Sequence, residues 1–225
     1  MMFMEYLEID PQLENRFPRL AAQMVRFKDI NVRREDPQLE EYKKKVYDET
    51  RELWEVEELR DEPLFRAYRD FFWSLDIDPT KTRPAAEALI RRLLHGRSIP
   101  TINTWVDAYN LVSIKTAIPI ASFDLDLLDG ELLMREAEPG EEFMGIGMKE
   151  PVVLGGGEAV IEDDKRLVAI YPYRDADYSK VTLKTENVLL LLCGAPGVSR
   201  EKLNDSAKEA RRILTKYCGG TVDKP

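Results

Sequence analysis

Histidine is nearly missing from this chain of 225 residues; the single one is His95. With one imidazole no serine or cysteine triad is available, and no serine stands in a nucleophile-elbow context. Cysteine is almost as scarce. Cys193 and Cys218 have neither metal-ligand nor redox-pair spacing, so the expectation is reduced thiols in a reducing compartment, no zinc site and no cofactor. Long apolar runs are lacking as well. "VLLLLC" and "LVAI" are far too short to span a bilayer, and "MMFMEYLEID" lacks the basic start and long apolar core of a secretory signal. These absences predict a cytoplasmic protein with no membrane partner. Internal repeats and low-complexity tracts are absent too.

Charge is plentiful but unbalanced. Thirty-three Lys and Arg against 42 Asp and Glu leave a net charge of −9, which argues against holding nucleic acid by bulk electrostatics. Its distribution is uneven, however. Residues 81–97, "KTRPAAEALIRRLLHGR", carry Lys81, Arg83, Arg91, Arg92 and Arg97 against one acid, Glu87. Such a patch either binds phosphate in a salt-sensitive way or is a solvated helix face.

Element signals run along the whole chain. "LAAQMVRFKDINV" reads as a strand. Asp36 before Pro37 reads as an N-cap opening a helix with Leu39, Tyr42, Val46 and Leu53 inside. Pro63 breaks that helix, and a second follows with Leu64, Phe65, Tyr68, Phe72 and Leu75 inward. Pro84 opens a third, with Ala86, Leu89, Ile90, Leu93 and Leu94 inward, Glu87, Arg91 and His95 outward, and Gly96 as its stop. "NTWVDAYN" begins a mostly apolar helix. Beyond it, "IPIASFDLDLLDG" and "ELLMREAEPGEEF" read as strands with turns, and "EAVIEDDKRLVAIYPY" as a hairpin. "NVLLLLCG" has the length and composition of a strand buried on both faces. A closing helix starts near Ser199, with Leu203, Ala207, Ala210, Leu214 and Tyr217 inside and Gly219 at its end. The sum is an α+β fold with a mixed sheet.

Two stretches raise chemistry. "LGGGEAV", residues 154–160, leads into a strand rather than a helix N-terminus, so it reads as a bulged loop and not as a phosphate cradle. In "NTWVDAYN", Asn103, Asp107 and Asn110 recur at helical spacing on one face. Asn and Asp disfavour helix interiors, and burying each unpaired costs roughly 1–3 kcal/mol, so they need partners. Either they brace the helix to neighbouring backbone or they line a polar pocket. A hydrolase without a triad is restricted to reactive bonds, where orienting water and substrate suffices.

Taken together, "IPTINTWVDAYNLVSIKTAIPIASFDLDLLDG", "REAEPGEEF", "AVIEDDKRLVAI" and "SKVTLKTENVLLLL" resemble, in order, the tRNA-binding editing module of the phenylalanyl-tRNA synthetase beta chain. The likeness rests on Ile99-Pro100, Val106-Asp107, Asn110, Pro119, Phe123-Asp124, Leu125-Asp126 and Gly130 without a gap. It covers about residues 76–193, and the chain is similar to freestanding B3/B4 tRNA-binding domain proteins. The resemblance implies a B3/B4-type mixed-sheet domain over 76–225, with a strand and helical pair over 1–75 packed on it. It also implies a site: Asn110 at the family's editing asparagine, Asp107 and Asn103 beside it, Ala121, Leu191 and Thr185 around the amino acid, and Arg83, Arg91, Arg92 and Arg97 against tRNA phosphate.

Five positions depart from the family pattern, one of them Pro100 at the family's arginine. Its histidine falls on Ala121, its tyrosine-recognising glutamate on Leu191, and its paired glycines on Asp175 and Ala176. The implied activity is hydrolysis of a mischarged aminoacyl-tRNA ester in trans, with an altered amino-acid pocket. The alternative is a tRNA- or RNA-binding or interaction module that keeps the fold without the chemistry.

Overall fold

The structure is a computed structural model that describes residues 5–223. Its centre is β11 (Val188–Cys193), in which all six residues are buried. It runs antiparallel between β3 (Ala22–Ile30) and β4 (Ile120–Asp124). The other edge of β3 is shared end to end by β1 (Glu5–Tyr6) and β12 (Gly219–Val222). A strand covered on both faces has no solvated side to fill with polar residues, which explains the unbroken Leu run.

One face of this sheet carries two helices. α5 (Thr104–Thr116) seats Trp105 against it: the indole donates to Ser122 Oγ at 2.7 Å and lies edge-on to Phe27, centroids 5.0 Å apart. α6 (Arg200–Cys218) packs on α5 and β3 and is capped by Ser199, whose hydroxyl accepts from the Lys202 amide. Strand alternation sends Ala121, Phe123, Leu189 and Leu191 to the opposite face. There they share one buried cluster with Met134, Ile161 and Ala169 of a second sheet.

That second sheet is mixed, in the order β10 (Arg174–Asp175), β9 (Leu167–Ile170), β8 (Ala159–Glu162), β5 (Leu133–Glu136), β2 (Glu8–Ile9), with β2 parallel to β5. A small ribbon of β6 (Glu142–Phe143) and β7 (Val152–Val153) stands beside it. Two phenols tie the layers together: Tyr68 and Tyr171 donate to the carbonyls of Cys193 and Gly194, each at 2.6 Å.

α1 (Pro11–Arg16) and α3 (Pro63–Ser74) complete the shell with α2 (Pro37–Leu53) and α4 (Ala85–Leu94). α2 opens as its sequence predicts, with the Asp36 carboxylate accepting from the Gln38 and Leu39 amides. It packs on α4 and α5. Its buried positions are Leu39, Lys43, Val46 and Thr50; Leu53, expected inside, is 71% exposed, because it falls on the last turn, past the helices that cover the rest. The expected outward row on α4 is corrected too. Glu87 is wholly buried, while His95 is exposed at the helix end.

Candidate functional site

The start of α5 brings together the polar residues of "NTWVDAYN" but gives each a different task. Asn103 stands before the first turn as N-cap, its Oδ1 accepting from the Val106 amide at 2.9 Å. Asp107 is buried. It accepts from the Ile102 amide at 3.0 Å and from Lys43 Nζ at 2.5 Å, and Lys43 also reaches Glu40 at 2.6 Å. Burial works against the Lys43 ammonium, but hydrogen bonds to Asp107 and Glu40 outweigh it and hold the group above its ordinary range. Asn110 is half-buried, and among the described residues its amide makes no side-chain hydrogen bond.

Across the sheet, Ala121 and Leu191 are direct cross-strand neighbours, 7% and 0% exposed. Thr185 is buried and occupied: its hydroxyl donates to Asp124 Oδ2 at 2.6 Å and accepts from the Thr182 amide at 2.9 Å. Beside the free edge of β4 runs β10, which carries Asp175. Burial pushes this carboxyl up to about 7, against the pull of the Ser122 amide and the Arg174 charge. The Tyr109 phenol of α5 and the Cys193 thiol of β11 face the same charge, and burial raises both well above their usual range.

The basic stretch folds into a hollow of about 340 Å³ lined by Lys81, Arg83, Arg91, Arg92, His95 and Arg97, together with Ala88. No carboxylate lines it. Glu87 lies beneath, taking a two-pronged bond from Arg69 at 2.8 and 2.9 Å and one from Arg91 Nε at 2.6 Å. Burial would raise the Glu87 carboxyl, but the two guanidinium groups hold it below its ordinary value. Arg92 Nε donates to the Ser98 carbonyl at 2.7 Å, so both Arg91 and Arg92 are held by their inner nitrogens. Among the described residues Arg83 and Arg97 form no ion pair.

The glycine loop is not an open anion cradle. The amides of Gly155 and Gly156 donate to the two oxygens of Glu158, at 2.9 and 2.8 Å. Among the described residues no group of three or more His, Cys, Asp or Glu is placed to hold a metal ion, and no helix is long and apolar enough to cross a membrane.

Sequence reading missed the burial of three of these residues, although the family likeness had marked Asp175 as a departure. Lys43 had a signal, a charge on the buried stripe between Leu39 and Val46. Glu87 had one as well, three residues before Ile90 and four before Arg91. Asp175 had none, since its burial comes from the distant β4 edge.

In this two-sheet α+β domain, α5 carries the half-buried Asn110, and α4, which packs on α5, carries most of the basic hollow. Its family is shown by direct comparison: residues 67–219 match the model of the B3/4 domain, and the chain belongs to that family. Among curated relatives, the phenylalanine–tRNA ligase beta subunit of Pectobacterium atrosepticum is 32% identical over 108 residues, 48% of this chain and 14% of that subunit. The corresponding subunit of Mycoplasma genitalium is 26% identical over 136 residues, 60% of this chain and 16% of that one. The chain thus spans a small part of the length of these relatives. A solved N-terminal fragment of the phenylalanyl-tRNA synthetase beta subunit from Pyrococcus horikoshii superposes with a TM-score of 0.50 and 13% identity, covering 96% of this chain and 49% of the fragment, which is a likeness of fold.

Proposed function

We propose that this protein binds the acceptor end of a tRNA and hydrolyses a mischarged aminoacyl ester by orienting water against it. The observation that carries this reading is the state of Asn110. Asn103 and Asp107 are tied into the fold, whereas Asn110 sits half-exposed with its amide free of side-chain partners. It is also the position matching the family's editing asparagine. An aminoacyl ester is labile, so positioning supplies much of the rate without a strong nucleophile. Arg83 and Arg97, with the outer nitrogens of Arg91 and Arg92, form the surface for backbone phosphate.

The amino acid removed differs from tyrosine. Ala121 and Leu191 offer no hydrogen bond to a phenolic hydroxyl, and a site without that partner loses its preference for the hydroxylated substrate. A panel of mischarged tRNAs tests the proposal: at least one is deacylated above the buffer rate, and Asn110→Ala abolishes this while the fold is kept. Silence across the panel ends the enzymatic reading. A second reading, a tRNA-binding module without hydrolysis, draws its support from those same apolar residues; tRNA binding without deacylation would establish it.

A further inference from the structure

Deepening the tRNA-binding reading, on which it rests, we propose that the phosphate seated in the basic hollow of α4 is the terminal one at the 5′ end of the tRNA, a phosphomonoester, in preference to the phosphodiesters within the chain. Helical spacing builds the hollow. Arg91, Arg92 and His95 follow Ala88 by three, four and seven residues, so α4 and its C-cap present them as one surface stripe. Ala88 is the one short side chain of the lining, and any longer residue there would take up part of the space. The chain then brings charge to this stripe from both ends of the helix. Behind it, Gly96 adopts a φ of +73°, and the Gly96 and Arg97 amides donate to the carbonyls of Leu93 and Arg92 at 2.9 and 3.0 Å, a reversal that delivers Arg97. Ahead of it, the Asp78 carbonyl accepts from the Lys81 and Thr82 amides at 3.1 and 2.9 Å, a turn that delivers Lys81 and Arg83.

The guanidinium groups on the stripe are preset. Glu87 and the Ser98 carbonyl hold the Nε atoms of Arg91 and Arg92 at 2.6 and 2.7 Å, which fixes the planes of both groups. Their Nη atoms make no hydrogen bond among the described residues, and these are the donors that pair two-pronged with phosphate oxygens. The acids nearby do not cancel the charge. Glu87 is wholly buried beneath and shared with Arg69, and Asp78 stands 3.9 Å from Lys81.

Lys81 and four arginines around about 340 Å³, with no carboxylate in the lining, suit one kind of phosphate over the other. An internal phosphodiester carries a single negative charge, and its chain must leave on both sides. A terminal phosphomonoester carries about −1.5 to −2 at pH 7, presents three free oxygens and is tethered on one side only, so it can enter a recess. The setting agrees with this choice. α4 packs on α5, so the hollow and Asn110 belong to neighbouring helices. In a tRNA the 5′ phosphate and the aminoacyl ester likewise belong to one end of the molecule, and a single docking can engage both.

The test is a binding measurement on the full-length protein, by fluorescence anisotropy, with one uncharged tRNA transcript in two forms. One form bears a 5′ monophosphate; the other, treated with phosphatase, bears a 5′ hydroxyl. The monophosphate form is expected to bind about tenfold tighter or more, the effect of one or two charge-assisted hydrogen bonds, and re-phosphorylation of the hydroxyl form by a kinase restores the difference. Ala88→Leu, which fills the hollow and keeps every charge, brings the ratio between the two forms below about threefold, as does Arg83→Glu with Arg97→Glu. Adenosine 5′-monophosphate in excess erodes the same preference. Equal binding of the two forms overturns the assignment and leaves the tRNA reading intact; if adenosine 5′-monophosphate still binds and Ala88→Leu blocks it, the ligand of the hollow is a free nucleotide. A preference that survives both sets of variants also overturns it, since the 5′ phosphate then sits elsewhere. The comparison of the two tRNA forms needs no variant, so it decides the matter if a variant does not fold. No binding of either form overturns the tRNA reading as well.

Discussion

Lys43 and Asp107 form an ion pair that is almost wholly out of solvent, with side-chain exposures of 6% and 2%. The two depend on each other unequally: Lys43 also has Glu40, whereas Asp107 without Lys43 has neither water nor a counter-charge. Lys43→Met strands the Asp107 carboxylate and is expected to cost about 3–5 kcal/mol, read as a shift in the urea midpoint. The double variant Lys43→Met with Asp107→Leu is expected to recover most of that loss; failure to do so would mean that the pair contributes more than charge balance. Asp175 has the opposite balance, burial with too little compensation. Its carboxyl is raised from the ordinary carboxylate range near 4 to about 7, so between those pH values the folded state holds the proton more tightly than the unfolded chain. This contribution is favourable at low pH and is lost as pH rises through the window. The Tm of Asp175→Asn minus that of wild type should accordingly grow from pH 4 to 7 in thermal melts. A constant difference would show that the carboxyl titrates normally.

At the scale of elements, helix beginnings were the most legible feature. Asp36 before Pro37 and Ser199 before the last helix cap as their chemistry dictates, and Ser199→Ala should cost about 1 kcal/mol by the same denaturation measurement. β11 was legible for a related reason, since a run of apolar residues at strand length has few other places to go. What local sequence did not carry was the partner of each face. Glu87 lies on a helix rich in arginine, and only the arrival of Arg69 from α3, eighteen residues earlier, turns its position into a buried one. Glu87→Gln leaves two half-buried guanidinium groups without their shared counter-charge. About 3 kcal/mol of stability should go with it. In the wild type this contribution is present above the ordinary glutamate pKa and fades as pH falls through the depressed one, so the variant should differ least from wild type in strong acid. The site divides along the same line. Asn110 was marked by its place in a motif, whereas Asp175 lies beside β4, more than fifty residues earlier in the chain, through packing between two sheets.

For the whole molecule, a net charge of −9 works against RNA binding, so the proposed contact with tRNA depends on a local basic face. Arg83→Glu with Arg97→Glu should weaken tRNA binding at low salt by more than tenfold and flatten its dependence on salt, measured by fluorescence anisotropy over a salt series. An unchanged salt slope would assign that hollow to solvent alone. The glycine loop sharpens the same point. Because Glu158 already satisfies the amides of Gly155 and Gly156, a second candidate anion trap is filled by the protein's own chain. On the proposed tRNA-binding reading, phosphate is left the α4 hollow, and an incoming nucleic acid meets one of these two sites instead of both.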